Sequence, residues 1–156
     1  MLNKMFDEFN DTYQVERKEL SLANAEKAHQ LIKDEVIELG AEVETAKITG
    51  KLDSAAVVKE AIDNIYITAQ KLREMGVNVD ESLAEVHRSN MSKVLTTDSV
   101  HSLNNELSVA VGRYPDAELI KVDGGYVMYS KSQQKVIKPT KTYYSEANIT
   151  PDMYGE

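Results

Sequence analysis

The feature that most constrains the fold is an apolar repeat in the segment that follows Asp53. Apolar side chains recur there at intervals of four, three, four and three residues: Val58, Ile62, Ile65, Ala69 and Leu72. This spacing places them along one face of an α-helix and is typical of helices in bundles. Asp53 is a suitable N-cap, and Gly76 can end the helix in a left-handed conformation. The segment therefore predicts a helix that packs in a bundle.

Helical patterning extends through the rest of the first 111 residues. The spacing predicts a long helix over residues 21–46. Its apolar stripe consists of Ala28, Leu31 or Ile32, Val36, Leu39 and Val43. We also expect a short helix within residues 1–19, a helix capped by Asp80 and Glu81, and a helix over residues 99–111. These elements predict a helical domain over residues 1–111.

The pattern changes after Gly112. Two runs rich in β-branched and aromatic residues, 119–122 and 126–129, flank the sequence Asp123-Gly124-Gly125 and predict a β-hairpin. Residues 135–139 predict a further strand at the edge of the sheet, since Pro139 cannot donate to a sheet, and the last 15 or so residues predict an extended tail. The expected fold class is all-α: a helical bundle with a small C-terminal hairpin and tail, in which residues 112–156 belong to the same domain.

Composition narrows the classes of function. The chain has no cysteine, which excludes disulfides and thiol chemistry, and its formal charge of -8 disfavours nucleic acid as a partner. No apolar run approaches the roughly 20 residues that span a bilayer, so no membrane partner is expected. The first ten residues lack the apolar core of a signal peptide. We therefore expect a cytoplasmic protein, in the host cytoplasm if a phage encodes it.

Two pairs of acidic residues point to chemistry. Glu35 and Glu38 are three residues apart on one predicted helix, and Glu60 and Asp63 repeat this spacing on the next. Residues three apart are neighbours on a helix surface, so two facing helices can gather all four carboxylates. Their mutual repulsion favours Mg²⁺, or Mn²⁺ as a substitute, because these cations prefer oxygen ligands. The alternative is that all four acids are ordinary solvated surface residues.

Other polar residues are candidates for contacts with phosphate. Asn90 and Lys93 share the three-residue spacing, and Lys138 lies in the C-terminal segment. A lysine supplies the point charge that phosphates attract, whereas the alternative for each residue is an ordinary exposed position. Glu42, one turn beyond Glu38, is a candidate fifth ligand, and Lys59 is expected on a solvated face.

The combination of motifs resembles the MazG-like, all-α nucleoside triphosphate pyrophosphohydrolases, and most closely their phosphoribosyl-ATP pyrophosphohydrolase-like branch. The matching features are the two acidic pairs, the turn over residues 76–81, the sequence Glu85-Val86-His87-Arg88-Ser89-Asn90-Met91-Ser92-Lys93, and Lys135-Val136-Ile137-Lys138-Pro139 in the tail. The resemblance covers roughly residues 20–150, although residues 46–53 and 99–129 do not align.

The resemblance implies that the protein hydrolyses a nucleoside triphosphate to a monophosphate and pyrophosphate, with Mg²⁺ on the four acids. Either Glu38, the first candidate, or Glu35 is expected to orient or deprotonate the attacking water. Asn90, Lys93 and Lys138 are expected to bind the substrate. Relatives assemble as homodimers or homotetramers with sites near the subunit contacts.

The resemblance leaves the substrate open. A phage dGTP pyrophosphohydrolase of the MazZ type belongs to this branch, so a purine such as dGTP is the expected substrate. Phosphoribosyl-ATP is an alternative substrate. A different class of function, a non-catalytic helical oligomer that binds a nucleotide or a protein partner, is a further alternative.

Overall fold

The computed structural model describes residues 1–155 and shows a mostly helical chain with a small antiparallel sheet near its C-terminus. The elements in chain order are α1 Leu2–Thr12, α2 Leu22–Thr49, α3 Ser54–Glu74, α4 Val79–Met91, α5 Val100–Val111, β1 Ala117–Val122, β2 Gly125–Ser130, β3 Lys135–Ile137 and a short 3-10 helix Pro151–Met153. Every predicted helix is present. Among the described residues, no helix combines the length and the apolar character needed to cross a bilayer.

The chain packs into two compact units. The helical unit consists of residues 1–82 and the segment from Thr150 onward, and the hairpin unit consists of residues 83–149. The division between them falls inside α4. The sequence predicted a helical catalytic region over residues 1–111, with residues 112–156 as a hairpin and tail of the same domain. This division concerns function as well as packing, and it stays a prediction.

Side chains at the helix ends confirm several predicted boundaries. Ser21 accepts a hydrogen bond from the backbone N–H of Asn24, and Asp53 accepts hydrogen bonds from the two N–H groups at the start of α3. Gly76 has a φ of +86°, a left-handed backbone conformation that residues with a Cβ atom rarely adopt. Only glycine therefore fits this stop after α3 without strain.

The predicted cap of α4 was wrong. Asn78, not Asp80, accepts a hydrogen bond from the N–H of Glu81 and so caps this helix. The Asp80 carboxylate instead accepts hydrogen bonds from the backbone N–H groups of Leu2 and Asn3, at 2.9 and 3.2 Å. Asp80 therefore stabilises the start of α1, a tertiary contact that the local sequence does not encode.

The apolar stripe of α3, which was predicted to pack in a bundle, is only partly buried. Ala69 packs with Phe6 of α1 in the core of the helical unit. Further along the same face, Val58, Ile62 and Ile65 are 61%, 56% and 63% exposed. The reason is that α1 is short and covers only the last turns of α3. The helical periodicity was predicted correctly, but the first turns of this face are not covered within the described residues.

The hairpin unit contains the predicted hairpin and edge strand. The strands form a three-stranded sheet in the order β1-β2-β3, with β1 and β2 antiparallel from the Ala117–Ser130 pair to the Val122–Gly125 pair. Leu95, which is 0% exposed, exchanges two backbone hydrogen bonds with Tyr126 at the start of β2. Buried side chains of α5 and the sheet complete this core: Leu103, Ala110, Met128 and Ile137.

Replacing Leu95 with Ala is expected to destabilise the protein by about 2–5 kcal/mol, because the change removes buried methyl groups and leaves a cavity. The midpoint of urea denaturation, followed by circular dichroism, measures this loss. The matched control is Leu83→Ala, since Leu83 is largely exposed and its replacement should change stability little. Equal denaturation midpoints for the two variants would contradict the core position of Leu95.

The C-terminal tail of the hairpin unit is fixed by polar contacts. The buried Glu106 of α5 accepts hydrogen bonds from the backbone N–H and the hydroxyl of Thr140. On α4, Glu85 pairs with Arg88 at 2.7 Å and accepts a hydrogen bond from the N–H of Asn148 at 2.8 Å. The tail was predicted to be extended, and these contacts hold it against the helices of its own unit.

The Glu85 contacts predict a pH dependence of stability. The hydrogen bonds from Arg88, and then from the Asn148 N–H, lower the pKa of Glu85 to about 2. A carboxyl group with a pKa of about 4.3 in the unfolded chain therefore stabilises the fold above that pH, and this contribution is lost as the pH falls towards 2. Thermal denaturation should show wild type melting above Glu85→Gln at pH 6, with a gap that narrows as the pH falls from about 4 towards 2. A gap that stays constant over this range would contradict the assignment.

Candidate active site

Packing of α2 against α3 brings the two acidic pairs together. One carboxylate oxygen from each of Glu35, Glu38 and Glu60 lies within 4.8 Å of the other two. The helices are also joined nearby by a hydrogen bond of 3.5 Å from the Asn64 side-chain amide to the backbone carbonyl of Ile32. The i and i+3 spacing on two facing helices thus brings together three of the four carboxylates that the sequence predicted to converge.

The fourth acid contributes to the same electrostatic field. The pKa of Glu35 is raised by burial first, and then by the negative charges of Glu38, Asp63 and Glu60. Asp63 therefore acts on Glu35 although it is outside the closest group of three. The four carboxylates form one acidic cluster, defined here as Glu35, Glu38, Glu60 and Asp63.

The cluster has a property that fits a bound divalent cation. The side chain of Glu60 is only 12% exposed, and its Oε2 atom is buried without a hydrogen-bond partner among residues 1–155. A buried carboxylate oxygen without a partner is costly, and a cation would satisfy it. Because the converging donors are all carboxylate oxygens, the set suits a hard ion such as Mg²⁺ or Mn²⁺.

Lys59 has a contact that the sequence interpretation missed. Its ammonium group pairs with Glu60 at 2.9 Å and with Asp63 at 2.8 Å, and both hydrogen bonds raise the pKa of Lys59. The spacing of four residues between Lys59 and Asp63 was a signal for such a pair. Lys59 remains largely exposed, as expected, but it neutralises part of the charge of the acidic cluster.

Neighbouring acids are placed differently. Asp34 is exposed on α2 and accepts a hydrogen bond from Gln30 at 2.8 Å. Glu42 is outside the group of three converging carboxylates. Its role as a fifth ligand stays a prediction.

The predicted phosphate-binding residues lie in the hairpin unit. Lys93 donates a hydrogen bond of 2.7 Å to the Asn90 side chain, which confirms that their three-residue spacing makes them neighbours. Lys138 lies 4.1 Å from the centre of the Tyr144 ring and pairs with Glu146. Lys93, Lys138 and Tyr144 line one cavity of about 470 Å³. The structure brings these residues together in their own unit, and their contact with substrate stays a prediction.

Helices that converge several carboxylates on one point are suited to hydrolases that use a metal ion on phosphate groups. The comparison with known families agrees. Residues 2–90 match the family described as phosphoribosyl-ATP pyrophosphohydrolase, so the chain belongs to this family, which is part of the MazG-like superfamily. No curated protein matches the chain.

Family membership confirms the expected class of enzyme. The protein is a pyrophosphohydrolase, a hydrolase that acts on phosphoanhydride bonds, and the non-catalytic alternative is set aside. Enzymes of this family are generally dependent on divalent metals. The matched region contains the whole acidic cluster and Asn90, whereas Lys93, Lys138 and the sheet lie beyond it.

Proposed function

We propose that the protein hydrolyses a nucleoside or deoxynucleoside triphosphate to the monophosphate and pyrophosphate, with Mg²⁺ bound by Glu35, Glu38, Glu60 and Asp63. The observation that carries this proposal is the convergence of three carboxylates within 4.8 Å, together with the unpartnered Oε2 atom of Glu60. Mn²⁺ is the expected substitute, since it prefers similar oxygen ligands.

The reaction transfers the α-phosphoryl group to water. The water oxygen forms a bond to the α-phosphorus, the bond from that phosphorus to the bridging oxygen breaks, and pyrophosphate leaves. A divalent cation supplies Lewis-acid stabilisation of the phosphate charge and makes water more acidic. Glu38 is the first candidate to accept the proton from this water, and Glu35 is the second. Asn90, Lys93 and Lys138 are proposed to bind the phosphates.

The substrate we propose is a purine nucleotide such as dGTP, as in the phage enzymes of the MazZ type. The extended C-terminal tail resembles that of the stand-alone nucleotide enzymes, and this resemblance supports the choice. Phosphoribosyl-ATP is compatible with the family match and is the second candidate. Both substrates carry the same bond between the α- and β-phosphates, so the acidic cluster serves either.

The test is a panel of standard and modified nucleoside triphosphates, together with phosphoribosyl-ATP, incubated with the protein and Mg²⁺ or Mn²⁺. Chromatography separates the products. Pyrophosphate with a purine monophosphate, formed fastest from dGTP, is the expected result. Release of single phosphate would overturn the proposed bond cleavage, and turnover of phosphoribosyl-ATP alone would select the second candidate.

We also propose that the protein works as a homodimer or homotetramer. The support is the apolar face of α3 formed by Val58, Ile62 and Ile65, which the chain's own core does not cover. Exposed apolar positions grouped on one helix face are typical of protein interfaces. Because α3 also carries Glu60 and Asp63, an interface on this face would lie beside the acidic cluster.

A further inference from the structure

The hairpin unit differs in charge from the rest of the chain. Residues 83–149 contain eight Lys or Arg and seven Asp or Glu, whereas the whole chain has a formal charge of -8. Four of these cations line the cavity of about 470 Å³ described above: Lys93, Arg113, Lys135 and Lys138. An acidic protein has therefore concentrated positive charge in one place, which we call the basic pocket.

Most of this charge is not neutralised within the protein. Lys138 pairs with Glu146, and Lys93 donates to the neutral Asn90. Arg113 and Lys135 are exposed and form no ion pair with any carboxylate among residues 1–155. A cavity with three uncompensated cations favours an anionic ligand.

Tyr114 links the two unpaired cations. The Lys135 ammonium lies 4.8 Å and the Arg113 guanidinium 5.9 Å from the centre of its ring, so both contact an aromatic side chain. A hydrogen bond from Lys135, followed by the charges of Lys135 and Arg113, lowers the pKa of the Tyr114 hydroxyl. The ring holds the two cations on the same side of the pocket.

We propose that the basic pocket binds a polyphosphate chain, with Arg113 and Lys135 as phosphate-binding residues beside Lys93 and Lys138. Two or three linked phosphates present several negative oxygens at close spacing, which four cations around one cavity can match. Arg113 adds a planar guanidinium that can donate two hydrogen bonds to one phosphate. Arg113, Tyr114 and Lys135 all lie outside residues 2–90, where the family match ends.

This inference rests on the proposed function to say which molecule supplies the polyphosphate. A nucleoside triphosphate substrate and a pyrophosphate product both carry linked phosphates. Binding itself is independent of turnover. In EDTA the acidic cluster holds no metal ion and repels anions. The affinity for a polyphosphate measured in EDTA therefore depends on the Lys and Arg side chains of the basic pocket. Failure of the binding experiment and failure of the proposed reaction are therefore separate results.

The experiment is calorimetric titration of the full-length protein with inorganic triphosphate in EDTA at low salt. The test variant is Arg113→Gln combined with Lys135→Gln. The control is Lys51→Gln combined with Lys121→Gln, which removes the same charge from two exposed positions outside the pocket. We expect the test variant to bind at least about tenfold more weakly than wild type, and the control to bind like wild type. Circular dichroism verifies that both variants are folded.

Equal affinity of the two variants, or no binding by the wild type, would overturn the proposal. Steady-state kinetics with Mg²⁺ then shows whether the bound polyphosphate belongs to the substrate or to the product. A raised KM with unchanged kcat in the test variant assigns the pocket to the phosphates of the substrate. An unchanged KM, together with weaker inhibition by added pyrophosphate, assigns it to the product.

Discussion

Replacing Glu60 with Gln is expected to lower the rate of pyrophosphate release by about 100-fold or more. Glutamine keeps the shape of the side chain but removes the negative charge from an acid whose side chain is only 12% exposed. A buried amide in place of a carboxylate binds a divalent cation weakly, so charge on the substrate phosphates would go uncompensated. Release of pyrophosphate from dGTP at saturating Mg²⁺ measures the effect, and Glu38→Gln and Asp63→Asn are expected to behave similarly.

The matched control for these variants is Glu44→Gln. Glu44 lies on α2, is exposed and pairs with Lys47, so its replacement removes one charge from the same helix without touching the cluster. A second measurement separates metal binding from catalysis: Mg²⁺ should raise the melting temperature of wild type and of Glu44→Gln, but not of Glu60→Gln. Full activity of both Glu38→Gln and Asp63→Asn would show that the site assignment is wrong.

Lys59 helps to stabilise the acidic cluster when no metal ion is bound. Its two ion pairs offset part of the repulsion among the acids, while leaving the three converging oxygens of Glu35, Glu38 and Glu60 in place. A cation at the cluster must compete with this ammonium for Glu60 and Asp63. The long, exposed side chain of Lys59 can leave at little cost, since ion pairs at the surface contribute little free energy.

The acidic cluster could be predicted from the sequence because its geometry is largely local. The three-residue spacing fixes each pair on one helix face, and α2 and α3 are neighbours joined by a short connection, residues 50–53. The hairpin could also be predicted from the sequence, since Asp123-Gly124-Gly125 specifies a tight turn. Local spacing and turn chemistry thus account for the parts of the fold that were correctly predicted.

Contacts between distant residues account for what the sequence did not reveal. Asp80 looked like a cap for its own helix, but it binds backbone groups at the start of α1, more than 70 residues away. The basic pocket collects Lys93 and Arg113 from two separate connections of the hairpin unit and Lys135 from the start of β3. No periodicity joins these positions, so only the folded sheet brings them together.

The exposed stripe of α3 shows a different limit, because periodicity identifies an apolar face but not the chain that covers it. This leads to the second prediction: Ile65→Glu is expected to weaken self-association by at least about 100-fold, since an unpaired carboxylate would be buried in an apolar interface. Light scattering during size-exclusion chromatography measures the mass. Wild type is expected as a dimer or tetramer, and the variant as a monomer with reduced activity.

The control for this prediction is Ile48→Glu. Ile48 is 84% exposed near the end of α2 and lies outside the α3 stripe, so the same change there tests added charge without the proposed interface. A monomeric wild type, or the same mass for wild type and Ile65→Glu, would contradict the interface. If Ile65→Glu is monomeric and also loses pyrophosphate release, while Ile48→Glu keeps both mass and rate, the enzyme needs a second copy beside its acidic cluster. The open face of α3 would then be part of how the site is completed.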